Sequence, residues 1–102
     1  MAIWYFIYTD LEVADLEGNL QIAAQDADDL WWYSAVSDDL GPFHLEIMEH
    51  YGVKEAFRSR VSIKQNKFYA LDARIKTLEF YAALPGRKLV LNEDSLVALQ
   101  ER

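Results

Sequence analysis

The chain has 102 residues, of which 52% are hydrophobic and 14% aromatic, with a net charge of −7 and no cysteine. That length suits one domain with a core of its own, and the composition is too apolar for a disordered tail. Disulfides, cysteine-ligated zinc and thiol nucleophiles are excluded, and no apolar run approaches the ~20 residues of a membrane-spanning helix.

The net charge conceals an asymmetry. Residues 1–50 hold eleven Asp and Glu with no Lys or Arg, whereas residues 51–102 hold ten basic and six acidic residues. The halves therefore carry −11 and +4. Such a division points to charged partners, to self-complementarity between copies, or to two halves that attract each other within one fold. The first apolar run has no basic segment before it and no small-residue cleavage site after it, so no signal peptide is expected. The lack of cysteine fits a reducing, cytoplasmic setting.

Residues 3–9 (IWYFIYT) are β-branched and aromatic, without Gly or Pro, and predict a buried strand. In residues 11–24, Leu11 and Val13 alternate with Glu12 and Ala14, and Leu20, Ile22 and Ala24 alternate with Asn19, Gln21 and Ala23. Gly18-Asn19 between these runs predicts a β-hairpin, so the first 24 residues read as a three-stranded antiparallel meander. Residues 26–36 present both helical and strand spacings. Asp26 as a cap, with Asp28 and Asp29 near the positive end of a dipole, favours a helix. In either conformation adjacent Trp31 and Trp32 point in different directions, because a helical step turns ~100° and a strand step ~180°.

Gly41-Pro42 and Gly52 bracket a predicted short helix. It sets His44, Ile47, Met48 and Tyr51 on one face and Glu46, Glu49 and His50 on another. A second short helix is expected over residues 54–61, followed by a polar connection at 62–66. Residues 68–82 carry the clearest helical period: Phe68, Leu71, Ile75, Leu78 and Ala82 form one stripe, with Asn66 as a cap and Pro85-Gly86 as the stop. A strand over 87–91 and a terminal helix from Asn92 to Leu99 complete the reading. The expected architecture is a single α+β domain over residues 1–102. It comprises an N-terminal antiparallel β-meander, one further strand, and four to five helices packed on one face.

The functional reading centres on residues 26–39, DADDLWWYSAVSDD. Trp31, Trp32 and Tyr33 ringed by Asp28, Asp29, Asp38 and Asp39 have the composition of a protein interface, with aromatic anchors inside a charged rim. Those carboxylates suit a basic partner whose approach they would steer. The expected function is non-catalytic: an adaptor, inhibitor or immunity-type protein, with a homodimer also possible on these features. The competing assignment sends all three aromatics to the core.

Two alternatives stand beside it. Lys54, Arg58, Arg60, Lys64 and Lys67 fall close together, and YGVKEAF has the look of a helix-turn-helix turn. A net charge of −7 works against phosphate binding, so nucleic acid is the weaker partner. The other is a small enzyme or metal-binding protein using His44 or His50 with Glu46 and Glu49. On a helix Glu46, Glu49 and His50 resemble half of a di-iron carboxylate site, but only His44 and His50 are available as histidines and no second Glu-x-x-His exists. Neither a Gly-x-Ser-x-Gly turn nor a glycine-rich phosphate loop is present. No cofactor is implied.

Overall fold

Alternation along residues Trp4–Thr9 (β1) organises the molecule. Tyr5 and Ile7 face one side of a sheet and Phe6 and Tyr8 the other, as the period of two in a strand requires. The computed structural model describes residues 4–34, 36–42, 44–93 and 95–101. Within these, β1 is followed by α1 (Val13–Ala27), β2 (Trp31–Tyr33), α2 (His44–Tyr51), β3 (Ser59–Gln65), α3 (Ala70–Ala83), β4 (Lys88–Asn92) and β5 (Ser95–Gln100). A 3-10 turn at Lys67–Tyr69 leads into α3, and the Asn66 side chain accepts from the Phe68 N–H there. The strands form one sheet in the order β2-β3-β1-β4-β5, with every neighbouring pair antiparallel.

The two faces of the sheet are covered unequally. Leu16 and Leu20 of α1, and Phe80, Tyr81 and Leu84 in or just after α3, bury against Tyr5, Ile7, Val61, Ile63 and Val90. On the opposite face α2 brings Ile47, Met48 and Tyr51 onto Phe6, Tyr8, Leu89 and Leu91, helped by Val53 and Phe57. Because α2 has eight residues and leans on the β1–β4–β5 side, no helix among the described residues covers the β2–β3 side of this face.

The expected α+β architecture needs correction on several counts. The sheet has five antiparallel strands, and three α-helices, not four to five, occur among the described residues. They lie on both faces. The expected meander does not form, because residues 13–27 are helical. Leu16, Leu20, Ala23, Ala24 and Ala27 recur at helical spacing and pack inward, and four alanines outweigh the single Gly18 in helix propensity. The acids read as a helix start instead end this helix. Asp28 and Asp29 adopt left-handed φ of 47° and 62°, a conformation Asp tolerates better than most residues. The expected helix at 26–36 is therefore strand β2 and its continuation, and the one at 54–61 gives way to a loop and β3. The terminal helix is β5, reached through Glu93 at φ 56°. Asp94 and Ala35 lie outside the described residues.

Helix α3 forms near its expected span but faces the other way. Ala73, Thr77, Phe80 and Tyr81 are its buried residues, whereas Phe68, Leu71 and Ile75 are 81%, 71% and 46% exposed. A polar bond helps set this rotation, since the buried Gln65 amide of β3 donates to Thr77 Oγ1. Lys88 of β4 closes the helix end, its buried Nζ donating to the carbonyls of Tyr81, Ala82 and Leu84 at 2.8, 3.0 and 2.6 Å. An ammonium there meets the negative end of the dipole.

Candidate functional site

The open half of the second face displays the side chains that alternate away from the core. Trp32 of β2 and Trp4 of β1 both stand opposite Lys64 of β3, so an indole flanks that lysine on either side. Phe6 follows Trp4 on the same face, the two rings stacked at 6.5 Å and 12°. Trp32 is 46% exposed. This aromatic strip runs into a cleft of about 520 Å³ between α2 and the sheet. Phe6, Tyr8 and Leu91 form its floor, and Ile47 and Tyr51 its helical wall.

Arg60, Glu46, His50 and Glu93 also line the cleft. Arg60 is held in place from several directions. Its backbone exchanges hydrogen bonds with Ser37 at 3.1 and 2.9 Å, and its guanidinium lies against Gly41, where an added Cβ would come within 2.8 Å of Nη1. Burial raises the Tyr8 hydroxyl above its usual pKa, and the Arg60 charge and hydrogen bond offset part of that rise. Among the described residues the ion pairs are Arg58–Glu12, Lys76–Glu79, Arg87–Asp10 and Arg87–Glu55. Arg60, Glu46 and Glu93 belong to none of them.

The residues singled out from the sequence divide along these faces. Trp31 is 3% exposed and packs its ring 5.8 Å from Phe80. Tyr33 turns to the same side, where its hydroxyl donates to Glu17 at 3.4 Å, and burial followed by that carboxylate raises its pKa. Only Trp32 of the three points outward. Asp28 and Asp29 sit beside the Asn66 end of β3, since the Asn66 amide donates to the Asp29 carbonyl. Asp38 and Asp39 sit at its Arg60 end, after the Ser37 bridge. All four are exposed and, among the described residues, outside any ion pair. The two acid pairs thus bracket Trp32 along one sheet edge, about 20 Å apart at ~3.3 Å per residue over β3.

The helix-turn-helix alternative fails on geometry. No helix forms between Gly52 and β3; Arg60 and Lys64 lie on β3, and Arg58 pairs with Glu12 at 2.6 Å. Lys54 is exposed in the loop before β3, and Lys67 in the turn after it. For the metal alternative, Glu46 and His50 share the cleft while Glu49 is not part of it. No three His, Asp or Glu side chains converge to hold a metal ion among the described residues. His44 is buried, stacked 5.6 Å from Tyr8 and edge-on to Phe57. Trp4, Phe6, Tyr8 and the cleft role of Arg60 were not expected. The signal available for them is the period of two in residues 4–9 (WYFIYT) and 59–65 (SRVSIKQ), which separates Tyr5, Ile7, Val61 and Ile63 from Trp4, Phe6, Tyr8, Arg60 and Lys64.

A partly exposed aromatic strip, an adjoining cleft and side-chain charges outside any ion pair among the described residues thus lie together on one face of a small α+β domain. The chain belongs to the family of the CDI System Immunity Component, whose model matches residues 1–97. Among solved structures it is similar to a chain of the CdiA-CT/CdiI toxin and immunity complex from Burkholderia pseudomallei, with a TM-score of 0.64 and 18% identity. That likeness covers 92% of this chain and 94% of the other, and it bears on the fold. No curated protein matches the chain in sequence.

Proposed function

We propose that this chain neutralises a toxin by binding it, and that the open half of the sheet face is the surface it uses. Membership of an immunity family and a fold shared with a chain of a toxin and immunity complex support the toxin as partner. The observation that carries the choice of surface is Trp32, 46% exposed beside Lys64. A large, half-exposed aromatic on the edge strand of this face supplies an anchor at small entropic cost. Trp4 and Phe6 extend that apolar patch.

Asp28, Asp29, Asp38 and Asp39 stand at the ends of the same edge and are free to act at a distance. Their charge favours a basic partner, raising the encounter rate more than the final affinity. The mode of inhibition is stoichiometric occlusion, which requires no chemistry from the immunity protein.

The test is binding of the purified chain to the toxin domain of the same CDI system, followed by biosensor kinetics from 50 to 500 mM NaCl. Trp32→Ala is expected to raise the dissociation rate at least tenfold. Changing the four aspartates to asparagine is expected to lower the association rate and flatten its dependence on salt, since rim charges act over a Debye length of about 10 Å at 0.1 M. An association rate indifferent to salt, with Trp32→Ala at wild-type affinity, would place the interface elsewhere.

A further inference from the structure

The cleft beside α2 joins the proposed interface through Phe6, which stacks on Trp4 and also forms part of the cleft floor. At about 520 Å³ it has the volume of a ligand site. Its lining is unusual in sign. A guanidinium and two carboxylates share one mainly apolar hollow, yet none of them is ion-paired among the described residues. Arg60 is nonetheless fixed, by Tyr8, Gly41 and the Ser37 backbone.

The charged groups lie apart along the cleft. Arg60 pairs in register with Tyr8, whereas the Glu93 N–H donates to the Trp4 carbonyl. Four strand residues at ~3.3 Å each separate these points by about 13 Å. That is the reach of an extended segment of four or five residues. An arginine held in this way offers a planar fork to a carboxylate. Glu93, and Glu46 on the α2 wall, offer acceptors to a cation, while Phe6, Ile47 and Leu91 lie between them for an apolar side chain.

Resting on the toxin-binding reading above, we infer that this cleft anchors the interface by taking an extended segment of the toxin. In that segment an acidic residue meets Arg60, an apolar side chain fills the hollow, and a basic residue meets Glu46 and Glu93. Charge complementarity selects a segment of mixed charge over a uniformly basic one. The carboxylates at the sheet edge attract the partner, and the cleft sets its register.

Titration calorimetry of the toxin domain against wild type, Arg60→Gln, the double variant Glu46→Gln/Glu93→Gln, and Trp32→Ala tests this. Each cleft variant is expected to weaken binding at least about 30-fold, the loss typical when one member of a buried hydrogen-bonded charge pair is removed. Circular dichroism should show an unchanged fold. Glu46 and Glu93 are exposed, so the double variant stays informative even if Arg60→Gln unfolds. Affinities within threefold of wild type for the cleft variants, beside a weakened Trp32→Ala, would overturn the cleft assignment and leave the toxin-binding reading standing. Cleft variants that dissolve a dimer of this chain while leaving toxin affinity intact would assign the hollow to a second copy and overturn the inference. Absence of toxin binding by the wild type would remove both readings together.

Discussion

Trp31 and Trp32 are neighbours in the chain and lie on opposite faces of the sheet, the first 3% exposed against Phe80 and the second 46% exposed opposite Lys64. The pair separates stability from recognition. Trp31→Ala empties a filled part of the core and is expected to cost about 3–5 kcal/mol. Trp32→Ala is expected to change stability by less than about 1 kcal/mol, near the range of surface substitutions. Urea unfolding of the two variants checks this, and equal losses would show that Trp32 also serves the core.

Helix α3 offers a parallel contrast. Leu71 is 71% exposed and Phe80 8% exposed. Leu71→Ser is expected to leave stability within about 0.5 kcal/mol of wild type, whereas Phe80→Ala should lose about 3–5 kcal/mol. A large loss for Leu71→Ser in thermal unfolding would mean that the stripe is packed and that the helix turns its other side to solvent.

Lys88→Met keeps much of the buried stem and removes the ammonium from three helix-terminal carbonyls. Hydrogen bonds to a charged donor contribute roughly 1.5–3 kcal/mol, so a loss of about 2 kcal/mol is expected from denaturant unfolding at pH 7. Unchanged stability would indicate that the apolar replacement offsets the lost bonds, as happens at some buried ionic sites.

His44 makes stability depend on pH. Burial lowers its pKa below the ordinary 6.5, and its Nε2 has no hydrogen-bond partner among the described residues. The folded state prefers the neutral ring, while the unfolded chain takes up a proton once pH falls below 6.5. This contribution is therefore full above pH 6.5 and is lost as pH falls toward the lowered folded value. Its size is about 1.4 kcal/mol for every pH unit that separates the folded from the unfolded pKa. His44→Phe, which preserves ring packing on Tyr8 and Phe57, should abolish that part of the pH dependence. Urea midpoints from pH 7.5 to 5 measure it, and parallel curves for both proteins would locate the acid sensitivity elsewhere.

Local chemistry was enough to recognise several elements. The β-branched and aromatic run of β1, the Gly-Pro start and Gly exit of α2, and the run of β4 each carry signals that act within a few residues. So does the Asn66 cap before α3. The same reasoning separated Trp31 from Trp32, because no regular backbone points consecutive side chains the same way. It also put a binding role first, as an adaptor, inhibitor or immunity-type protein, and the family supports the last of these.

What depended on distant contacts was decided by tertiary structure. Residues 13–27 alternate well enough to pass for a hairpin, and only the sheet supplied by β1 and β3 rewards the helical face of Leu16, Leu20 and Ala27. The tail after β4 resembles a helix start, yet β4 presents an edge that β5 completes with backbone hydrogen bonds. The strongest apolar stripe of α3 faces outward because Thr77 and Phe80 fit the surface beneath them, bonding Gln65 and packing on Trp31. The cleft joins Arg60 to Glu46 and Glu93, residues scattered through the chain. Pattern and propensity report what a segment can form by itself; a site built from three segments exists only after the sheet has brought them together.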